Sequence, residues 1–390
     1  MNKLKRILGV CSIAAGAVLV GSKLISSRKK ISADSGKVSE DNSSGVGRHF
    51  TDNKSDKELI GCIGFGEAVE IDSETPKNVL VTGAGSYIGE SFRKYAEVHY
   101  PALHIDTVDM LDPDWRRMNF SDYDVVFHVA GIAHADVGNV TDDVKEKYYA
   151  VNTDLAVEVC EKSKSDGAAE FIFMSSMIVY GDSAPYGTNR VLDESTVPSP
   201  ANFYGDSKLQ ADVAVRELAD DDFSVIVLRP PMIYGRDSKD NYPKLAKLAK
   251  MTPIFPKANN RRSMLYIDNL CEFVCQVMLS GRVERNAIVL IPQNSEWTET
   301  SRLVEEIAAV SQAVVLNMGA IAAVNGRKVR AWSVLKPAVV IGSKIPGKIG
   351  GLVNKVFGNS CYSHSLSVYP GINYQICSLS DSIRKTEEKL

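Results

Sequence analysis

Asn78-Val79-Leu80-Val81-Thr82-Gly83-Ala84-Gly85-Ser86-Tyr87-Ile88-Gly89 decides how this chain folds. The residues up to Thr82 make a short apolar strand, and the glycines let the backbone turn sharply behind it. A helix opening at Ser86 and running to about Tyr95 aims its amide dipole at whatever lies over that turn, and a pyrophosphate suits the place. Gly83, Gly85, Ser86, Tyr87, Ile88 and Gly89 are therefore candidate cofactor-binding residues. A glycine cluster says little alone; between a strand and a helix it says much more.

The stretches that follow repeat the alternation. A second strand over 104–108 ends in Asp109, twenty residues beyond Gly89. A carboxylate there accepts both ribose hydroxyls and repels a 2′-phosphate, which favours NAD over NADP, although Arg116 and Arg117 pull the other way. Residues 125–131 form a buried strand running into Ala130 and Gly131, small enough for a dinucleotide to lie close. A helix over 142–163 carries Tyr149 and Asn152. The strand over 171–176 then delivers Ser175 and Ser176 at its carboxyl end, where open parallel sheets bind ligands. Strands and helices alternating at this interval predict an α/β fold with a doubly wound parallel sheet.

Tyr204 and Lys208 stand four residues apart in Tyr204-Gly205-Asp206-Ser207-Lys208, on one helix face a turn apart. A phenol with a pKa near ~10 is protonated at neutral pH. An ammonium ~5 Å away favours the phenolate by roughly 3 kcal/mol at an effective dielectric of ~20. That lowers the phenol's pKa by about two, and a cationic nicotinamide adds to it.

Taken in order, Thr82–Gly89, Asp109, His128–Gly131, Ser175-Ser176, Val179-Tyr180-Gly181, Tyr204-x-x-x-Lys208 and Leu228-Arg229-Pro230-Pro231 resemble the extended short-chain dehydrogenase/reductase family. Within it the chain is most similar to the NAD-dependent nucleotide-sugar epimerase/dehydratase branch, over roughly residues 77–390. The resemblance implies a Rossmann-type domain over 76–235, with Pro230 and Asn152 among its cofactor contacts. It also implies a smaller C-terminal α/β substrate-binding domain over 236–390. Tyr204 is then the acid/base, Lys208 lowers its pKa and holds the ribose, and Ser176 hydrogen-bonds the reacting oxygen. Ser86 departs from the family's usual glycine, but a serine still opens the helix and offers a hydroxyl. Family dehydratases carry an Asp-Glu pair directly after the hydroxyl residue, where Met177 and Ile178 stand here, so loss of water is not expected. Met232 replaces an asparagine common in sugar epimerases, which leaves Asn241 as the sugar or nucleotide contact. Arg262 matches the arginine that grips the substrate diphosphate.

These matches imply an NAD-dependent nucleotide-sugar 4-epimerase acting on a UDP-hexose for cell-surface polysaccharide. The alternatives are a UDP-4-keto-6-deoxysugar 4-ketoreductase and, from another class, a non-catalytic nucleotide-sugar sensor. A homodimer is the family's common state.

Bulk properties bound this reading. The 390 residues have 44% apolar and 24% charged content, as ordinary globular proteins do. Net charge is −3, yet residues 1–30 hold seven Lys/Arg and no acid, leaving 38 basic against 48 acidic residues over 31–390, a net −10. An acidic body argues against a nucleic-acid partner. Seven scattered cysteines without CxxC pairs read as buried free thiols in a reducing compartment, with no metal site. Residues 7–20 are an apolar run about 21 Å long as a helix, or about 28 Å if carried to Ile25, a marginal span. The expectation is a hydrophobic anchor over 1–30 making membrane contact through residues 7–25 and tethering a cytoplasmic protein. Residues 31–75 read as flexible linker. Towards the C-terminus, 299–310 is an amphipathic helix, 332–356 a set of short apolar helices over the substrate and against lipid, and 378–389 a closing helix.

Overall fold

Alternating apolar strands and amphipathic helices give this chain its layers. The computed structural model describes residues 54–388 apart from 134–139, 240, 252–253, 282–285, 318–329, 333–335 and 346–347. A short helix α1 (Asp56–Ile60) precedes β1 (Lys77–Thr82), α2 (Tyr87–His99) and β2 (Leu103–Val108). There follow β3 (Val125–His128), the helix pair α3 (Asp142–Tyr149) and α4 (Leu155–Asp166), β4 (Glu170–Met174), α5 (Phe203–Glu217) and β5 (Ser224–Leu228). The next elements are β6 (Met232–Tyr234), α6 (Asn241–Met251), β7 (Ile254–Pro256), β8 (Met264–Tyr266), α7 (Ile267–Met278) and β9 (Ala287–Leu290). The last are α8 (Thr300–Asn317), β10 (Arg330–Trp332), α9 (Lys336–Ser343), α10 (Lys348–Phe357) and α11 (Leu379–Glu387).

Six strands pair entirely in parallel in the order β2-β1-β3-β4-β5-β9. Because side chains alternate along a strand, each strand feeds two cores. Val79, Val81, Phe127, Ile172 and Ile226 pack with Phe92 of α2 and with Leu270, Phe273 and Val274 of α7. Leu80, Val126, Phe171, Phe173 and Val227 pack on the other side with Val159 and Cys160 of α4 and with Leu209 and Val215 of α5. This is the doubly wound α/β sheet. The chain leaves β1 for β2 on one side and resumes with β3 on the other, so the turns after β1 and β3 open onto one crevice, the binding place in such sheets. Only the 3₁₀ turn Pro113–Arg117 lies between β2 and β3, so β2 stays at the sheet edge.

Two parts of the expected domain plan need correction. The sixth strand β9 and the helix α7 that covers the sheet come from within 236–390, the segment expected to be mainly a separate domain. The core beneath α7 continues into Tyr234, Tyr242, Leu303, Ile307 and Tyr374, so both halves bury one apolar cluster. The linker expected over 31–75 also fails over 54–75. Ser55 and Glu58 form a reciprocal capping box on α1, and Leu59 and Phe65 are buried. Ile63 pairs in parallel with Val289, extending the sheet past β9, and Val69 and Asp72 donate their amides to Pro370 O and Leu279 O. Leu59, Ile60, Ile63 and Phe65 supply apolar anchors that the polar average of the stretch conceals. The anchor and residues 31–53 lie outside the described residues. Among the described residues, no helix is long and apolar enough to cross a membrane. Five of the described cysteines are buried thiols, whereas Cys62 is exposed.

Candidate active site

The glycine turn is stapled to the end of β2. Gly83 and Ala84 donate their amides to Val108 O at 2.9 and 3.0 Å, which brings Asp109 beside the turn. Asp109 is exposed, and its Oδ1 accepts from Leu111 N at 2.9 Å. Gly83 has φ of 108°, and a Cβ there would stand 3.0 Å from Ala130 N, so the turn presses on the end of β3. Gly85, at φ of 72°, has nothing within 4 Å of where a Cβ would be. That open side, facing a helix start, has room for a diphosphate. Ser86 is the N-cap of α2, its Oγ accepting from Gly89 N at 3.1 Å. The serine thus does the local work expected of it.

Tyr87 and Ile88 follow in the first turn of α2, whose amides lack partners within the helix. The Tyr87 phenol packs against the core beside Gly235. Its hydroxyl is buried without a hydrogen-bond partner, 2.7 Å from where a Cβ on Gly235 would stand, and burial pushes its pKa well up. The two arginines after Asp109 are both engaged. Arg116 forks onto Glu158 and Arg117 reaches Asp114, which removes the objection to NAD.

At the end of β3 the site becomes crowded. A π-helical turn, Ala150–Asp154, interrupts the expected helix over 142–163 and turns Asn152 inward. Asn152 Oδ1 accepts from Ile132 N at 2.8 Å, while its Nδ2 donates to Ile132 O at 3.0 Å and Ser207 Oγ at 3.2 Å. Its bonding capacity goes to clamping the loop after β3 onto α5. A Cβ on Gly131 would stand 3.0 Å from Asn152 Oδ1 and 3.1 Å from Lys208 Nζ, so any larger residue would press on both. Lys208 is 6% exposed, donates to Met174 O at 3.0 Å and lies over the Phe173 ring at 4.9 Å. Burial lowers its pKa to about 8 against the opposing pull of Asp212. Beneath it, the His128 ring shares a 2.7 Å hydrogen bond with Thr82 Oγ1. Burial, then the nearby Lys208 charge, holds its pKa at about 3, so the imidazole is neutral at physiological pH.

Tyr204 sits in the first turn of α5. Asn202 caps that helix, its Oδ1 accepting from Tyr204 N and Gly205 N at 3.1 Å each. Gly205 lets the helix close on the turn that follows β4, since a Cβ there would be 2.9 Å from Ile178 O. This approach sets half-buried Tyr204 next to the turn Met177–Tyr180 that Ser176 caps. Ser176 Oγ accepts from Ile178 N at 3.3 Å, leaving its proton to donate elsewhere. Pro230 O accepts from Met177 N at 2.9 Å and ties the end of β5 to the same turn.

Asn241 opens α6, half-buried. Arg262 Nη1 donates to Lys355 O at 2.9 Å, which ties its guanidinium to the last turns of α10. A cleft of about 540 Å³ lies between the loop 235–238, α6 and α11, lined by Ser238, Tyr242, Ala246 and Glu387 among others. Ser176, Tyr204 and Lys208 do not line it.

Sequence reading missed the pair beneath the site. Arg229 is fully buried and forks onto Asp212 at 2.8 Å per bond. It also donates to Leu59 O, Ile60 O and the Tyr180 hydroxyl. The signal was available: Asp212 stands four residues past Lys208, extending the Tyr204–Lys208 face by one more turn.

Comparison with known proteins agrees with this arrangement. The family model "NAD dependent epimerase/dehydratase family" matches residues 79–291. A UDP-glucose 4-epimerase of Vibrio cholerae is 25% identical over 260 residues, covering 61% of this chain and 76% of that protein. The N-acetyl-α-D-glucosaminyl-diphospho-ditrans,octacis-undecaprenol 4-epimerase of Escherichia coli O157:H7 is 27% identical over 214 residues, covering 50% of this chain and 62% of that protein. A UDP-glucuronic acid 4-epimerase from Bacillus cereus, solved with NAD, superposes with a TM-score of 0.56 at 15% identity, over 80% of this chain and 97% of that one. With its parallel sheet, glycine turn and Tyr-Lys helix supported by a family match that spans more than half its length, the chain belongs to the NAD dependent epimerase/dehydratase family.

Proposed function

We propose that this protein is an NAD-dependent nucleotide-sugar 4-epimerase of the UDP-hexose class. The observation that carries the reading is the Lys208 ammonium, buried against Gly131 and Asn152, one helical turn from Tyr204 and at the carboxyl ends of the strands. The glycine turn at 83–89 would hold the diphosphate of NAD on its open Gly85 side, Asp109 its adenosine ribose, and Lys208 the ribose nearer Tyr204. NAD, when bound, supplies an acceptor and later a donor of the hydrogen at the sugar carbon.

The chain's own residues handle position and the proton. Tyr204 takes the proton from the C4 hydroxyl as phenolate and returns it at the end. Lys208 favours that phenolate, and the positive charge is fixed in place by Met174 O and by the tight contact with Gly131. Ser176, one lone pair engaged by Ile178 N, offers its proton to the C4 oxygen. Asn152 acts indirectly, holding the loop after β3 where Gly131 can meet Lys208. Met177 and Ile178 bring no carboxylate to the turn, which supports redox chemistry at one carbon over elimination of water.

The test is C4 inversion of UDP-glucose or UDP-N-acetylglucosamine by the purified protein with no cofactor added. No inversion, together with NADH consumption on a 4-keto-6-deoxysugar nucleotide, would make it the ketoreductase instead. In Tyr204→Phe, turnover should vanish while NAD still binds. A sensor would keep its response.

A further inference from the structure

Charge along this chain is divided in a way that its catalytic chemistry does not require. Residues 307–380 contain seven basic residues (Arg327, Lys328, Arg330, Lys336, Lys344, Lys348 and Lys355) and no Asp or Glu, within a body of net −10 over 31–390. Helices α9 and α10 carry three of these lysines, Lys336, Lys348 and Lys355, among Val, Ile, Leu and Gly, and Lys344 follows α9 directly. An acid-free, lysine-bearing, apolar helix pair in an acidic protein complements an anionic surface with an apolar interior.

The geometry gives this pair an outer face and a location. Pro337, Ile341 and Lys344 are all exposed and fall at i, i+4 and i+7, along one side of α9. Ile341 is 57% exposed, one of few large apolar side chains left so among the described residues. Lys355 is exposed on α10. The two helices cross closely, for a side chain at Gly342 would press on Val353 at 3.2 Å and one at Gly350 would run into Ile345 O. Asn354 Nδ2 donates to Ser343 O at 3.2 Å, so the pair is a unit.

That unit borders the catalytic crevice. Asn354 Oδ1 accepts from Tyr186 N at 3.3 Å, and Asn359 exchanges backbone bonds with Ala184 at 2.8 and 3.0 Å. Ser360 Oγ lies 3.1 Å from Met177 Sδ, directly after Ser176, and Arg262 holds Lys355 O. We infer that the α9–α10 hairpin docks on the surface of an anionic lipid bilayer, presenting the crevice to the membrane. Nucleic acid fits less well: the exposed side of α9 offers an aliphatic ridge, which the apolar interior of a bilayer can bury and a phosphate backbone cannot. The inference does not depend on which sugar is turned over.

The full chain with Cys11→Ser and Cys62→Ser provides a labelling background. An environment-sensitive fluorophore is attached to the thiol introduced by Ile341→Cys, and vesicles of phosphatidylglycerol and phosphatidylcholine are added in turn. Val98→Cys is the control, since Val98 is 73% exposed near the end of α2, and α2 runs back to the amino-terminal side of the sheet. Docking requires a blue shift and quenching by brominated lipid at position 341 with phosphatidylglycerol, and neither at position 98. Lys344→Glu with Lys355→Glu should weaken this contact by about tenfold or more. The two changes should leave soluble-substrate activity intact.

Because residues 1–30 are basic and apolar too, the protein can reach vesicles by that end alone. A vesicle-bound protein whose 341 probe still reports water overturns the proposal. An equal response to phosphatidylcholine, or no effect of the lysine reversals, overturns its electrostatic basis.

Discussion

Replacing Lys208 with methionine should abolish turnover yet stabilise the fold. The ammonium is buried, and its pKa stands at about 8 instead of the ordinary 10.5, chiefly because burial disfavours its charge. Holding the charged form there costs about 3 kcal/mol relative to water. Methionine has nearly the same length and no charge, so this cost disappears, while Met174 O loses a hydrogen bond worth about 1 kcal/mol. The net gain is about 2 kcal/mol, or about 2 °C in the unfolding midpoint of the nucleotide-free protein. The sign has a pH signature. Below about 8 both folded and unfolded chains hold the proton and the penalty is complete. Between 8 and 10.5 the unfolded chain binds more protons than the folded one, so the parent gains stability as pH rises and the variant does not. Thermal unfolding at pH 7 and near pH 10 should therefore show a gap that closes. A variant less stable than the parent at pH 7, or a gap equal at both pH values, would refute the reasoning.

Other perturbations separate the structural from the chemical roles. Arg229→Ala strands the buried Asp212 carboxylate and frees Leu59 O and Ile60 O, so urea unfolding should show a loss of about 3–5 kcal/mol. Hydrogen exchange across 54–65 should speed up in the same variant. Gly131→Ala drives a methyl into Asn152 Oδ1 and Lys208 Nζ, and isothermal titration should find NAD binding weakened by about tenfold or more. Asp109→Ala should weaken NAD by about tenfold and leave NADP nearly unchanged, narrowing the preference between them. The His128 ring, held at about 3 by burial, should show no titration by NMR between pH 5 and 8.

Much of the fold was legible because its signals are local. Val79–Thr82 and Phe171–Met174 are short apolar runs bounded by turn residues, and the glycine turn lies where strand meets helix. Tyr204 and Lys208 share a helix face by spacing alone. What the sequence concealed depends on long-range contacts. The π-turn at Asn152 arises from what that side chain grips, Ile132 and Ser207, and no periodicity marks it. Ile63 joins the sheet through Val289, more than two hundred positions away, inside a stretch whose polar average suggested a linker. Arg229 reads as the end of a strand, yet its five donors go to three different segments. Arg262 also makes a contact the sequence does not show, donating from Nη1 to a carbonyl 93 residues on.

The most direct test follows one atom. UDP-glucose carrying deuterium at C4 is incubated with the protein as purified, with no nucleotide added, and both epimers are recovered for mass spectrometry and NMR. Deuterium retained at C4 of the inverted sugar, with none washed into water, is the expected result. Inversion with loss of the label to solvent, or no inversion until reduced cofactor is supplied, contradicts a Tyr204–Lys208 site working on a resident dinucleotide.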